Sequence, residues 1–529
     1  MASKGHWHRE AGRTAVRFWS GVHRTCMRFP SVRAGHLAVD VWDARLEPTM
    51  SNRWRGMVAG ALVSSAVAAL VGQRVIAGTA RRNRHRSETL FAYHAARHKI
   101  LILGAGFGGM AAALRLDEQV GHRADTSVLI VDRDSALLFT PLLWTVADGR
   151  ANPNDVVVPI RAFQRGRAFH LLHASVEEID LDRREVRTSA GTRPYDYLVI
   201  ALGSVTAVPA LPGLRERALR FHTPADAMEL RNHLIDALEN AHHAVDAQER
   251  REWLTFVVGG GGDTGVELAA TIRNYLHVGL LAEYPWLADE QPRVVVVGRA
   301  QRLVPMSSPL TSAAVERTLR KEGVEVWTDV AIEGVTEREV QTSRGAIPAR
   351  TLFWAAGITA PPVVRDLPVE HARNGAVLVD ETLRVPGRAE VFVVGDSAWA
   401  FDGVSGEPTP PTAQAAGHMG RYVADAMAGL IVGRHPAPFR FVTRGRLALL
   451  GHRTGVAEVF GRAIDGLPAW LLWHGYYLSA IPAWRNRIRL FINWLLAELT
   501  GRETAQLRLG PSVGGSEAGA AREPSQVAS

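Results

Sequence analysis

One cysteine, Cys26, stands in a chain of 529 residues. A thiolate-held iron–sulfur cluster, a structural zinc ribbon and a redox-active cysteine pair each need several, so none can be built within this chain. Electron transfer here requires an organic cofactor, and no metal site is assigned. The lone thiol is silent on compartment, because a chain without disulfides is stable in either redox environment. Basic charge is scarce where nucleic acid would need it. The net charge is +8, yet residues 1 to 97 hold 16 Lys/Arg against 5 Asp/Glu, leaving 45 basic and 48 acidic residues for the rest. The excess sits in an amino-terminal extension whose aromatics, such as Trp7, Phe18, Trp19 and Phe29, are too scattered to stack on bases. Nucleic acid is excluded as a partner. Apolar residues at 47% and charged residues at 22% describe a globular protein with a sizeable core. The length suggests about three or four domains.

Long apolar runs are scarce too. Met57 to Gly72 (MVAGALVSSAVAALVG) is uncharged, and Val75 to Gly78 prolongs it past Gln73-Arg74. A helix needs about 20 apolar residues to cross the hydrocarbon core, so 57–78 is marginal as an uncleaved anchor. A cleavable signal, with Gly78 and Ala80 as the small-residue site, and a soluble helix are the other readings. Arg53 and Arg55 precede the segment while Arg74, Arg81, Arg82, Arg84 and Arg86 follow it, which places the downstream domains on the cytoplasmic face. Residues 1 to 49 read as a disordered arm, or as sequence before a start at Met50.

Legible architecture begins after Arg97. Lys99 to Leu103 is an apolar strand followed by Gly104-Ala-Gly106-Phe-Gly108-Gly109 and a helical pattern, with a second strand, Ser127 to Val131, closed by Asp132. The arrangement is a dinucleotide-binding unit: Gly104 permits the tight turn, Gly106 lets backbone approach a pyrophosphate, Gly109 packs helix on strand, and Asp132 accepts a ribose hydroxyl. The unit recurs. Leu254 to Val258 leads into a turn with Gly260, Gly262 and Gly265, then a helix from Val266 to about Leu276, and the strand Arg293 to Val297. One glycine fingerprint is weak; two, each between strand and helix, point to two dinucleotides and hence to hydride passing from a nicotinamide nucleotide to a flavin. Tyr195 to Ser204 and Thr351 to Gly357 are further strands ending in glycine turns, and Glu390 to Asp396 ends in glycine and a carboxylate. Carboxylates at strand ends face the ligand crevice of open α/β sheets.

Between Leu467 and Leu499 the chain carries Trp470, Trp473, Tyr476, Tyr477, Trp484 and Trp494 beside Arg485, Arg487 and Arg489. These segments are too polar to span and read as helices lying in a membrane interface, the alternative being core-packed helices with exposed arginines. The Gly/Ser/Ala/Pro-rich residues 510–529 read as a disordered tail.

With these motifs in place, Lys99 to Leu509 resembles the type II NADH:quinone oxidoreductases, membrane-surface flavoproteins of respiratory electron transfer. The matching stretches are ILGAGFGG, LFTPLLWTVADG from Leu138, DYLVIALGS from Asp196, TGVELA from Thr264, FWAAGITAPP from Phe353, VFVVGDSA from Val391, PPTAQAA from Pro410 and AWLLWHGYYLS from Ala469. Sulfide:quinone reductases share the fold but use a cysteine pair, which this chain lacks. The resemblance implies an α/β fold with two Rossmann-like domains and a membrane-associating carboxy-terminal helical region. FAD-binding parts are expected at 98–225 and 351–430, the NAD(P)H domain at 226–350 and the membrane-surface region at 431–509. It implies FAD held by Gly104, Gly106, Gly109, Asp132, Gly203 and Asp396, with Thr140 and Pro141 near the flavin ring and Gly357 and Ala413 also in the cofactor sites. The nicotinamide nucleotide would lie on Gly260, Gly262 and Gly265 with Glu267 near the nicotinamide, although a carboxylate one turn into a helix also suits the helix dipole. Ala413-Gln414 matches the segment where flavin meets quinone.

Three departures from the family pattern stand out. Gly298-Arg299 replaces the acidic residue closing the second nucleotide strand, opening NADPH as well as NADH, unless Arg299 is a plain turn residue. His418 replaces a glutamine one turn after Gln414, where it would contact quinone or be a packed histidine. Asp263 replaces a proline beside the phosphate turn. The function expected is non-electrogenic, FAD-dependent transfer from NADH or NADPH to a membrane quinone, with a homodimer allowed. The alternatives are a different acceptor or a non-catalytic redox sensor.

Overall fold

The computed structural model describes residues 90–508 apart from 444, 460 and 461. The candidate anchor at 57–78, the basic arm and the tail 510–529 lie outside the described residues.

Valine and isoleucine runs that are apolar on both faces form parallel strands covered on both sides. In β1 (His98–Leu103), Ile100 to Leu103 are fully buried. The first sheet runs β10 (Arg384–Val385), β11 (Arg388–Val393), β4 (Tyr197–Ile200), β1, β2 (Thr126–Asp132) and β3 (Phe169–His173). The second runs β5 (Leu219–Arg220), β9 (Thr351–Trp354), β6 (Thr255–Gly259), β7 (Arg293–Val297) and β8 (Val324–Trp327), all parallel. Helix α1 (Phe107–Val120) follows β1 and α2 (Asp263–Asn274) follows β6. The second unit therefore reaches beyond 226–350: Leu219–Arg220 and Thr351–Trp354 belong to its sheet. Thr351 to Gly357 repeats the Tyr195 to Gly203 design because each is the return strand beside the glycine-turn strand of its own unit.

The two units correspond residue by residue. Gly104 N–H donates to Val131 O and Gly260 N–H to Val297 O, both at 2.8 Å; Ala201 N–H donates to Leu103 O and Ala355 N–H to Gly259 O, again both at 2.8 Å. The first glycines have φ of +94° and +132°, a region that side chains disfavour. A Cβ on Gly109 would stand 1.9 Å from Gly104 O, and one on Gly265 1.7 Å from Gly260 O. No side chain survives that approach, so helix rests directly on turn. At the middle glycines, Gly106 and Gly262, a Cβ would meet nothing within 4 Å.

Helix α3 (Ala413–Ile431) starts at Thr412, whose side chain caps Ala415 N–H, and crosses α1 closely. A Cβ on Gly420 would lie 2.1 Å from Gly108 O. The carboxy-terminal region is not wholly helical. An antiparallel sheet of β12 (Arg446–Gly451), β13 (Thr454–Val459) and β14 (Arg462–Gly466) precedes α4 (Leu467–Ala480) and α5 (Trp484–Thr500).

Gly109→Ala is expected to destabilise the first unit by about 3 kcal/mol or more, since overpacking against backbone cannot relax by side-chain rotation. Thermal unfolding and the flavin content of the purified variant measure it; native stability with full flavin would refute the close-approach argument.

Candidate functional site

The first crevice opens at the carboxy ends of β1, β2 and β4. Gly106, the N-cap of α1, supplies no side-chain cap, so the first-turn N–H groups face the crevice ready for an anion. Asp132 Oδ2 accepts from Ala105 N–H at 2.5 Å and Oδ1 from Asp134 N–H at 2.7 Å, and burial pushes its carboxyl up. Asp396, in the turn after β11, accepts from Ser204 Oγ at 2.8 Å and is likewise pushed up by burial. A Cβ on Gly203 would meet open space. Two strand-end carboxylates, open glycines and an uncapped helix terminus form the donor set for a dinucleotide. Thr140 and Pro141 form a single turn after β2, and Pro141 also borders a neighbouring cavity.

The second crevice repeats this design with Gly260, Gly262 and Gly265, and Gly262 again caps its helix without a side chain. Gly357 lies after β9 and has φ of +83°, as Gly203 does at +67° in the first unit. Arg299 is exposed just past the end of β7. Asp263 opens α2 and lies 3.7 Å from Arg446 Nη1, which also donates to Ser307 Oγ. Glu267 points from α2 toward the third sheet, where Leu449 N–H donates to its Oε1 at 3.2 Å. Burial pushes its carboxyl up to about 8, and its charge in turn helps to raise the Tyr477 hydroxyl. Glu267 is therefore more than an exposed complement to the helix dipole.

A cavity of about 490 Å3 adjoins the first crevice. Phe107, Met110 and Leu114 of α1, Ala413, Gln414, Gly417 and His418 of α3, and Tyr476, Tyr477 and Ala480 of α4 line it. From Phe107 to Glu118 it follows α1 for roughly 16 Å. Phe107, Phe139 and Tyr477 form an edge-on aromatic wall, with centroids 5.5 Å and 6.3 Å apart. Gln414 and His418 sit one turn apart; Thr443 Oγ1 donates to Gln414 Oε1 at 3.4 Å, and the His418 ring meets Phe441 edge-on at 5.6 Å. The α1 face escaped the sequence reading, although Phe107, Met110 and Leu114 recur at helical spacing.

The inward face of α5 mixes apolar and polar groups: Leu490 and Trp494 are buried beside Asn486, which donates to Asp155 O and Val157 O, while Arg489 pairs with the Asp155 carboxylate at 2.9 Å and Asn493 donates to it at 2.6 Å. Its outward face carries exposed Trp484, Ile488, Ile492, Leu495, Leu496 and Leu499, joined by Leu467, Leu471 and Leu472 of α4. The aromatic stripe expected to face outward is divided. Trp473 and Trp494, 1% and 7% exposed, pack inward around His474, and the outer surface is chiefly aliphatic.

The model of the pyridine nucleotide-disulphide oxidoreductase family matches residues 98–420, and that of the NDH2 C-terminal domain matches 444–503. The chain is 32% identical over 424 residues to a type II NADH:quinone oxidoreductase of Mycobacterium tuberculosis, covering 77% of this chain and 89% of that one. It is 31% identical over 415 residues to a demethylphylloquinone reductase of Synechocystis, covering 76% and 97%. NDH2 of Plasmodium falciparum, solved in complex with NADH, has the same fold at 20% identity, with a TM-score of 0.70 over 77% of this chain and 100% of that one.

The raised Glu267 carboxyl has a sign in stability. The native state holds a proton that the unfolded chain releases near the ordinary carboxyl value, so this contribution is full at low pH and is lost as pH rises from about 4.5 toward 8. Glu267→Gln removes the titration. Its melting temperature relative to wild type should climb between pH 5 and pH 8, and a constant difference would refute the raised carboxyl.

Proposed function

Because the chain belongs to the type II NADH:quinone oxidoreductases, within the pyridine nucleotide-disulphide oxidoreductase family, we propose that it oxidises a nicotinamide nucleotide and reduces a membrane quinone. The observation that carries the reading is the cavity beginning at the first residue of α1, beside the first glycine turn, lined by aromatic and aliphatic groups together with Gln414, His418, Arg115, Glu118 and Arg421, and walled by α4, which exposes Leu467, Leu471 and Leu472. Gly104, Gly106, Gly109, Asp132, Gly203 and Asp396 would hold FAD in the first crevice, where it would supply the chemistry of accepting hydride and returning two electrons. The chain's own groups do the rest. The uncapped end of α2 and its glycines hold the nicotinamide nucleotide, with Glu267 closing the inner end of that crevice. The aromatic wall of Phe107, Phe139 and Tyr477 excludes water from the junction. Gln414 and His418 orient the quinone, and His418 supplies a hydrogen bond or proton as the quinol forms.

The exposed face of α5 supports attachment to a membrane surface. Trp484, Ile488, Ile492, Leu495, Leu496 and Leu499, with Arg485 exposed among them, suit a lipid interface. With 57–78 as an anchor, the arginines after residue 73 support a cytoplasmic side for the catalytic units. A second copy of the chain is the competing cover for this face.

Anaerobic mixing tests the chemistry. NADH should bleach the bound flavin within one turnover time; oxidised flavin stable under excess NADH and NADPH would instead favour a redox sensor. In the same experiment His418→Ala should leave reduction by nucleotide unchanged and slow reoxidation by quinone by about tenfold. Equal loss in both half-reactions would return His418 to a packing role against Phe441.

Attachment is measured by vesicle flotation. Deleting residues 1 to 90 should leave flavin chemistry intact and release the protein only in part, and adding Ile492→Glu with Leu496→Glu should release the remainder. If the doubly substituted chain stays bound, the α5 face is not the contact. If it merely converts a dimer to a monomer, a second copy covers the face.

A further inference from the structure

The correspondence between the two nucleotide units shows what the second lacks. Gly104 N–H on Val131 O matches Gly260 N–H on Val297 O, so Asp132-Arg133-Asp134 in the first unit stands where Gly298-Arg299-Ala300 stands in the second. In the first unit Asp132 grips the glycine turn through Ala105 N–H, and Arg133 lies 3.6 Å from the Asp134 carboxylate. In the second unit both carboxylates are gone and the arginine stays. Arg299 is exposed and has no ion pair among the described residues. Three residues on lies Arg302, whose Nη2 donates to Pro305 O at 2.9 Å, while Nη1 is buried without a hydrogen-bond partner among the described residues. Asp329 donates its backbone N–H to Ala300 O at 3.0 Å.

A strand-end carboxylate accepts from the adenosine ribose hydroxyls and repels a 2′-phosphate; an arginine there pairs with the phosphate. Gly298 also leaves no substitute acceptor, since a Cβ there would stand only 3.2 Å from Gly261 Cα. We propose that the second crevice recognises a 2′-phosphorylated adenosine, with Arg299 as the specificity-determining residue and Arg302 beside it, so that NADPH is a substrate of this chain. The proposal rests on reading that crevice as the nicotinamide-nucleotide site.

The flavin-loaded full-length protein is titrated calorimetrically with adenosine 2′,5′-bisphosphate and with 5′-AMP, and kcat/KM is measured for NADPH and NADH in wild type and Arg299→Ala. The bisphosphate should bind more tightly than AMP, and Arg299→Ala should lower the NADPH:NADH ratio of kcat/KM by about tenfold, the scale of one charge-assisted phosphate contact. Equal or weaker binding of the bisphosphate, or a ratio that Arg299→Ala leaves within about twofold, overturns the proposal. If neither nucleotide reduces the flavin, the enzymatic reading fails, while the two adenosine ligands still decide whether the crevice recognises a 2′-phosphate.

Discussion

Everything in this molecule is arranged around a contact without a side chain: the third glycine of each turn lying on the carbonyl oxygen of the first. That approach fixes the height of α1 over β1 and of α2 over β6. It aims the first-turn N–H groups of each helix past the strand ends, which makes one backbone geometry an anion site twice over. The same economy of side chain extends outward. Gly420 settles on Gly108 O, so α3 crosses α1 closely enough for Ala413, Gln414 and His418 to stand beside the first crevice. The glycine turns and the crossing of α3 over α1 thus each depend on a missing methyl group.

A second constraint is electrostatic. Asp155 is fully buried, and a buried carboxylate is costly unless every oxygen is met. Asn152 N–H and Asn493 donate to Oδ2, and Arg489 neutralises Oδ1 as an ion pair at 2.9 Å that makes no hydrogen bond. Two of those partners come from α5, so satisfying the charge and seating the helix are one event. Leu490 and Trp494 are buried with those polar groups, and the remaining aliphatic residues of α5 are left exposed.

The glycine turns were legible in the sequence because their spacing reports a steric demand that only one residue type meets. Asp132, Asp396 and the helix beginning at Ala413 were readable for a similar reason: each follows directly from a strand end or a cap. The direction in which α4 and α5 face was less legible. Helical spacing identifies an apolar stripe without saying whether it faces core or surroundings, so the sequence leaves interfacial and core-packed helices both open, whereas Trp473 and Trp494 pack inward around His474 and Trp484 is exposed. The short strands β12 to β14 alternate too briefly to stand out. Thr351–Trp354 was assigned to the wrong unit because the return strands of two duplicated sheets look alike, and only pairing with β6 separates them.

Helix α4 forms part of the cavity wall with Tyr476, Tyr477 and Ala480 while presenting Leu471 and Leu472 outward. Seated on a lipid surface as proposed, that hairpin would meet its quinone as a two-dimensional solute. Its supply is governed by its mole fraction among lipids rather than its molarity in water. A protein built in this way exchanges its water-borne nucleotide by ordinary diffusion in three dimensions, whereas its second substrate is exchanged laterally, so the composition of the bilayer becomes a kinetic variable for one half of the reaction alone.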